Sequence, residues 1–226
     1  MARNFGILQA AGDYITFLDS DDELYPHYLD EALTLIKQYN RPEWFHIAYE
    51  IRDEAGRVLR KEHRRKGNIN QSLITGNHLS CIGVFVKKDI LEQHQFNEDP
   101  DIIGSEDYLL WLKLASLFPL RYSNRISAYV VQHRGRSVIN FNQHQLIRRI
   151  KKSIEIVNAD ADIRNFSAGQ CPNSKPTATS TWPIICPGPH SSFSLKYYPI
   201  SIRIFLPIVF HRNSYSYLNS LIMLKS

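Results

Sequence analysis

The stretch Tyr14-Ile15-Thr16-Phe17-Leu18-Asp19-Ser20-Asp21-Asp22 decides the reading of this 226-residue chain. Its first five residues are β-branched, aromatic or aliphatic and follow Gly12-Asp13, so residues 13–18 are predicted to form a short buried strand. Three carboxylates then crowd the carboxyl end of that strand, which is where an open α/β sheet binds its ligands. Carboxylates so close repel one another unless a cation or hydrogen-bond donors compensate. A hard divalent ion, Mg2+ or Mn2+, held by carboxylates and completed by phosphate oxygens and water, is one solution. A local reading stands beside it, with Asp22 as N-cap or first-turn acid of a helix predicted over residues 26–39. A calcium loop fits worse, since the sixth residue counted from Asp19 is Leu24 rather than Gly and the twelfth is Asp30 rather than Glu.

A second acidic site lies downstream, in Gly104-Ser105-Glu106-Asp107. The residues that follow, Tyr108 to Phe118, are apolar at Leu110, Leu114 and Leu117 and again at Tyr108, Trp111, Ala115 and Phe118, which predicts a helix buried on more than one face. Ser105 is the natural N-cap, placing Glu106 and Asp107 in the first turn. A helix start favours ionised carboxylates, and an ionised carboxylate can take a proton from a hydroxyl group. Complementing the helix dipole is the purely structural alternative.

Taken in order, these segments resemble the family-2 inverting glycosyltransferases of the GT-A fold. Ala2-Arg3-Asn4-Phe5-Gly6-Ile7 with Ala10-Ala11-Gly12-Asp13-Tyr14-Ile15 is similar to the family's lead into the metal strand, and Phe17 to Pro26 to its DxD motif and following helix. Gly104 to Ala115 is similar to its ED motif. Between them, Thr75-Gly76-Asn77 and Cys81 to Lys88 resemble the acceptor-side turn and strand. The resemblance covers residues 2–140. It implies an α/β, GT-A-type (Rossmann-like) mixed sheet, incomplete at the amino end, because the family's opening strands and most of its nucleobase pocket have no counterpart here. On that ground the chain is expected to bind UDP weakly and to be inactive or nearly so, and a non-catalytic remnant serving as a binding module is the alternative function.

The implied activity is transfer of a sugar, with inversion, from a nucleotide-diphosphate donor, UDP-linked by preference, to a saccharide or lipid-linked acceptor. The resemblance assigns Asp107 as catalytic base and Asp21 as ligand of a divalent metal, Mn2+ or Mg2+. It assigns Asp19, Asp22 and Arg3 to the donor side and Asn77 and Glu106 to the acceptor side. His133 is the second metal or phosphate contact, with Arg134 and Arg136 as diphosphate partners. The match there is partial, since Val131 stands where the family usually has Arg.

Charge is divided unevenly. Residues 163–226 carry six basic residues and no acid, so the pI near 9.1 belongs to the tail and does not mark a nucleic-acid-binding body. Cys81, Cys171 and Cys186 form neither metal-ligand spacing nor an even disulfide framework, and Met1-Ala2-Arg3-Asn4 begins no signal peptide. A cytoplasmic location, at or near the membrane face, is expected. The run Arg60, Lys61, Arg64, Arg65 and Lys66 reads as a solvated loop, with an anionic acceptor or membrane surface as the functional alternative. Strands are predicted at 44–52 and 56–62, joined by a turn at Glu54-Ala55-Gly56, and a last helix at 143–157. The expected organisation is a partial GT-A domain at 1–160, a Pro/Ser/Thr-rich linker at 161–192 and an apolar, basic tail at 193–226. Lys196, Pro199, Arg203 and Pro207 interrupt that tail, which favours an interfacial or irregular segment in peripheral membrane contact over a spanning helix.

Overall fold

A computed structural model describes residues 2–62, 67–133 and 143–168. Helix α1 (Ala2–Gln9) leads into strand β1 (Tyr14–Ile15), and strand β2 (Glu23–Leu24) precedes helix α2 (Tyr28–Gln38). Strands β3 (Trp44–Asp53) and β4 (Val58–Glu62) form the expected hairpin, turning at Gly56, whose φ of 78° suits a residue without Cβ. Short helix α3 (Ile69–Ser72) leads to a 3-10 turn at Cys81–Gly83, then strand β5 (Val84–Lys87) and helix α4 (Lys88–Gln93). A further 3-10 turn at Pro100–Ile102 introduces helix α5 (Glu106–Leu117). Strand β6 (Arg121–Gln132) and helices α6 (Gln143–Ala159) and α7 (Ala161–Ser167) complete the described fold.

The sheet runs β1-β5-β3-β6-β2. Strand β3 is its axis. Along one edge, β5 pairs with Trp44–His46 and β4 with Tyr49–Arg52; along the other, β6 runs parallel to it. The β6 register slips between Ser123 and Ala128, so that strand is two paired segments around a break. Alternation along β3 sends Trp44 to one face and Phe45, Ile47 and Tyr49 to the other, so both faces carry core. Helix α2 covers one through Tyr28, Ala32 and Leu35. Helix α5 covers the opposite one, where Trp111 stacks on Trp44 at 6.2 Å between ring centroids.

Several expectations are corrected. The strand predicted over 13–18 is paired only at Tyr14–Ile15, antiparallel to β5, because Thr16 turns to share a hydrogen bond with the Tyr28 hydroxyl and Phe17 packs edge-on against Phe96. The capping reading of Asp22 is not realised. Helix α2 is capped by His27, its first-turn acids are Asp30 and Glu31, and Asp22 is buried beneath β6, accepting a hydrogen bond from Val131 N–H. Ser105 does stand at the N-cap of α5, but its hydroxyl makes no cap bond there. Instead Asp107 Oδ1 accepts from Tyr108 N–H at 2.7 Å and Glu106 Oε2 from Gly104 N–H at 2.5 Å. The boundary at residue 160 cuts through folded structure. Asp160 caps α7, whose Ile163 and Phe166 enter the same core as Trp111, and Lys113 of α5 bonds Asp160 and Asp162. The remainder of the expected linker and the tail, together with Arg64–Lys66, Arg134 and Arg136, lies outside the described residues. No helix among the described residues is long and apolar enough to cross a membrane.

Candidate active site

The two acidic motifs, 85 residues apart between Asp21 and Glu106 in sequence, meet at the carboxylate-rich end of α5. Helix α1 joins them. Arg3 Nη2 contacts Asp19 Oδ1 at 3.4 Å and Arg3 Nη1 donates to Glu106 Oε1 at 3.1 Å, with the guanidinium lying over the Phe96 ring. Burial opposes the Arg3 charge, and Cys81, Asp19, Glu106 and Asp107 outweigh it, so the guanidinium is held above its ordinary pKa.

On the Asp19 side, ligand oxygens of Asp19, Asp21 and Asp22 lie within 4.8 Å of one another. The turn that follows β1, closed by Asp22 N–H to Asp19 carbonyl at 3.1 Å, folds the three residues together. The antiparallel pairing of Glu23 with Tyr129 then carries the end of β6 alongside, and His133 Nε2 sits 2.7 Å from Asp21 Oδ2. Three hard oxygens and one imidazole so grouped fit an octahedral cation with bond lengths of about 2.0–2.1 Å that keeps open positions for other oxygen ligands. Of the three carboxylates, Asp22 is buried and Asp19 already faces Arg3. Asp21, partly exposed, has His133 beside it.

On the other side, Asn77 Nδ2 donates to Asp107 Oδ2 at 3.2 Å, while Asn77 Oδ1 accepts from Leu79 N–H at 3.1 Å. The turn residue thus fixes its own loop and one oxygen of Asp107. Burial, followed by the neighbouring Glu106 charge, pushes the Asp107 carboxyl up to about 6; the Tyr108 N–H, Arg3 and Asn77 hold it from rising further. A carboxylate whose proton affinity lies near neutrality is matched to accepting a proton from a hydroxyl group. Cys81 forms the floor between the motifs, buried, with its thiol pushed well up by burial and by Asp107.

All eight candidate residues, Arg3, Asp19, Asp21, Asp22, Asn77, Glu106, Asp107 and His133, therefore connect through these contacts. Arg3 differs from its expected place, since it bridges the two acidic centres rather than standing on the donor side alone. Two residues escaped sequence reasoning. Asn4 pairs with the backbone of Phe96, donating to its carbonyl at 2.8 Å and accepting from its N–H at 3.0 Å, and so locks the loop before the ED motif onto α1. Its place inside the Ala2-Arg3-Asn4 segment was the available signal. Arg149 of α6 is buried and feels the charges of the ED pair, and the local sequence Arg148-Arg149-Ile150-Lys151-Lys152 does not distinguish it from its neighbours.

Residues 1–94 match the model of the family described as Glycosyl transferase family 2. This segment is similar to glycosyltransferase family 2. A glycosyltransferase of Haemophilus influenzae is 30% identical over 131 residues, covering 57% of this chain and 50% of its own length. The GalNAc(5)-diNAcBac-PP-undecaprenol β-1,3-glucosyltransferase of Campylobacter jejuni is 34% identical over 119 residues, 50% of this chain and 36% of its own. A Rickettsia felis glycosyltransferase is 31% identical over 117 residues, 51% of this chain and 19% of its own length. The chain thus spans half or less of these relatives. Among solved structures, Staphylococcus aureus TarS 1–349 in complex with UDP-GlcNAc superposes with a TM-score of 0.54 at 19% identity, over 74% of this chain and 49% of TarS 1–349. The architecture, with α2 and α5 on opposite faces of a mixed sheet, is the GT-A fold of that structure.

Proposed function

We propose that the family 2 domain carried by this chain transfers a sugar, with inversion, from a nucleotide-diphosphate donor to a hydroxyl of a saccharide or lipid-linked glycan. The observation that carries this reading is the Arg3 bridge, which sets a carboxylate cluster suited to a diphosphate-bound cation beside an Asp107 carboxyl raised to about 6. The UDP-GlcNAc in the TarS complex supports a UDP-sugar donor, and the Campylobacter enzyme, named for an undecaprenol-linked substrate, supports a lipid-linked acceptor.

Asp21 and His133 would hold a divalent ion, with Asp19 and Asp22 completing the acidic wall, and that ion would neutralise charge on the leaving diphosphate. Arg3 keeps Asp19 and Glu106 at fixed separation, so the donor side and the base side hold their relative positions. Asp107 takes the proton of the acceptor hydroxyl as its oxygen bonds to the anomeric carbon. The bond from that carbon to the diphosphate oxygen breaks in line, and the nucleoside diphosphate departs with the electron pair. Asn77 holds Asp107 Oδ2 in orientation, and Glu106, fixed by Gly104 N–H and Arg3, keeps the helix start from rotating. Such positioning supplies much of the acceleration of a one-step displacement.

The test, in a form of the protein extended by the family's opening strands so that it binds donor, is calorimetry of UDP binding with and without Mn2+ before and after Asp21→Ala, together with a transfer assay of Asp107→Asn. The reading requires the Mn2+ dependence of binding to disappear in the first variant and transfer to collapse with donor binding intact in the second. Metal-dependent affinity unchanged by Asp21→Ala, or transfer at the original rate by Asp107→Asn, rejects the assignment. In the extended form, UDP binding with no transfer to any saccharide or lipid-linked acceptor selects the binding-module alternative.

A further inference from the structure

Helix α6 is rich in cations on its outer surface, where Arg148 and Lys151 are exposed, yet Arg149 is turned inward and is only 8% exposed. It lies on the same buried stripe as Ile150, Ser153 and Val157, and this stripe packs along the Pro100–Ile102 turn that leads directly into the ED motif. Lys152 of α6 contacts Asp99 Oδ2 at 3.4 Å at the start of that turn, and the other oxygen of Asp99 accepts from Asp101 N–H, so the helix is pinned to the turn that leads into Glu106 and Asp107. An arginine is seldom buried unless opposite charge accompanies it, because desolvation of the guanidinium is costly. Burial lowers the proton affinity of Arg149, and the charges that act against this are those of Glu106 and Asp107.

The charge count at the ED motif explains why a second cation is needed. Glu106 and Asp107 are adjacent carboxylates, and Arg3 is already divided between Glu106 and Asp19. Among the described residues, the groups that face Asp107 are Glu106 on its own helix, Arg3 from α1, Asn77 from the preceding loop, Cys81 from the 3-10 turn, Tyr49 from β3 and Arg149 from α6. Only two of these are cations. Ionising Asp107 with Arg3 alone leaves an uncompensated negative charge in a half-buried site, which is unfavourable.

We propose that Arg149 is a positioning residue for the ED pair, supplying from α6 the second countercharge that allows Glu106 and Asp107 to stand ionised together. This rests on the reading of Asp107 as the proton acceptor. It makes α6, which contributes no residue to either acidic motif, part of the base machinery.

The experiment is a 13C NMR titration of side-chain carboxyls in the Asp-labelled full chain, with the Asp107 resonance identified by its absence in Asp107→Asn. In Arg149→Met the Asp107 midpoint is expected to rise by about one unit, a tenfold gain in proton affinity. Arg149→Lys, which keeps the charge, is expected to stay close to the original midpoint. The polar substitution Arg149→Gln gives the same comparison should the methionine variant not fold. An Asp107 midpoint unchanged by both neutral substitutions overturns the proposal, as does an equal rise in the lysine variant. Because the readout is a titration, failure of the transfer reading is separable: the midpoint moves with Arg149 even in a chain that transfers no sugar.

Discussion

Asp107→Asn separates the electrostatics of the site from its chemistry, and the structure fixes the form of the result. Asp107 has a folded-state pKa raised from 3.8 to about 6, because burial and Glu106 disfavour its charge. Below 3.8 the group is protonated in both folded and unfolded chains and has no influence on stability. Between 3.8 and about 6 the unfolded chain releases this proton while the folded one keeps it, so the folded state loses stability as pH rises. Above 6 the loss is complete and constant. Two units correspond to about 3 kcal/mol, which partial solvent screening of a half-buried group reduces to about 2 kcal/mol. Asparagine carries no such penalty. It also sacrifices one of the two hydrogen bonds that the carboxylate accepts, from Tyr108 N–H and Asn77, a pH-independent cost of about 1 kcal/mol. The stability difference, variant minus original, should therefore start slightly negative near pH 3.5, rise by about 2 kcal/mol through pH 6, and remain level to pH 8. Urea unfolding of both chains at half-unit intervals measures it. A difference that does not vary with pH, or one that falls as pH rises, refutes the account of Asp107 as a carboxylate held near neutrality by its surroundings.

Other substitutions probe the scaffold and the bridge. Asn4→Ala leaves the N–H and carbonyl of Phe96 without their buried partner and should cost about 2–3 kcal/mol in urea unfolding at neutral pH. Gly83→Ala would place a Cβ 2.4 Å from His46 Nε2 and 2.6 Å from the Ile47 carbonyl oxygen, with both groups on the central strand. A loss of about 3 kcal/mol or more, or failure to accumulate as soluble chain, is expected, and a normal denaturation midpoint would contradict the packing described. Arg3→Met should weaken Mn2+-dependent UDP binding about tenfold by releasing Asp19, and in the same variant the Asp107 midpoint should rise through loss of a facing cation. Calorimetry and the carboxyl titration report the two effects separately.

What the sequence disclosed and what it withheld divide along sequence distance. Asp19-Ser20-Asp21-Asp22 and Glu106-Asp107 could be recognised because each is a local pattern set against a strand or helix start. The β3–β4 hairpin was legible for the same reason, since its strands and turn are contiguous. The Arg3–Glu106 contact spans 103 positions and the Asn4–Phe96 pairing spans 92, and nothing in the local sequence of either partner encodes the other. Arg149 hides among four cations in five residues, and only the docking of α6 on the Pro100–Ile102 turn tells it from the exposed ones. Strand length failed similarly. Residues 16–18 have the composition of a strand, but pairing stops where Thr16 turns to meet the Tyr28 hydroxyl, although β5 continues to Val84. Ser105 occupies the position of a cap without acting as one, because the acidic side chains of the first turn themselves accept the neighbouring backbone N–H groups.

The division of β3 between partners on both edges has a consequence for synthesis. As the chain emerges, β3 acquires only β4 by local hairpin closure, on the outer half of one edge. Its inner half waits for Val84–Lys87, and its whole second edge waits for Arg121–Gln132. Until then a ten-residue strand carrying Trp44, Phe45, Ile47 and Tyr49 presents one whole edge of unpaired backbone, even though α2 and α5, the helices that cover its faces, precede β6 in the chain. Non-local pairing of this kind closes slowly, and a nascent chain stalled before Arg121 is the species most exposed to intermolecular strand addition and to capture by chaperones.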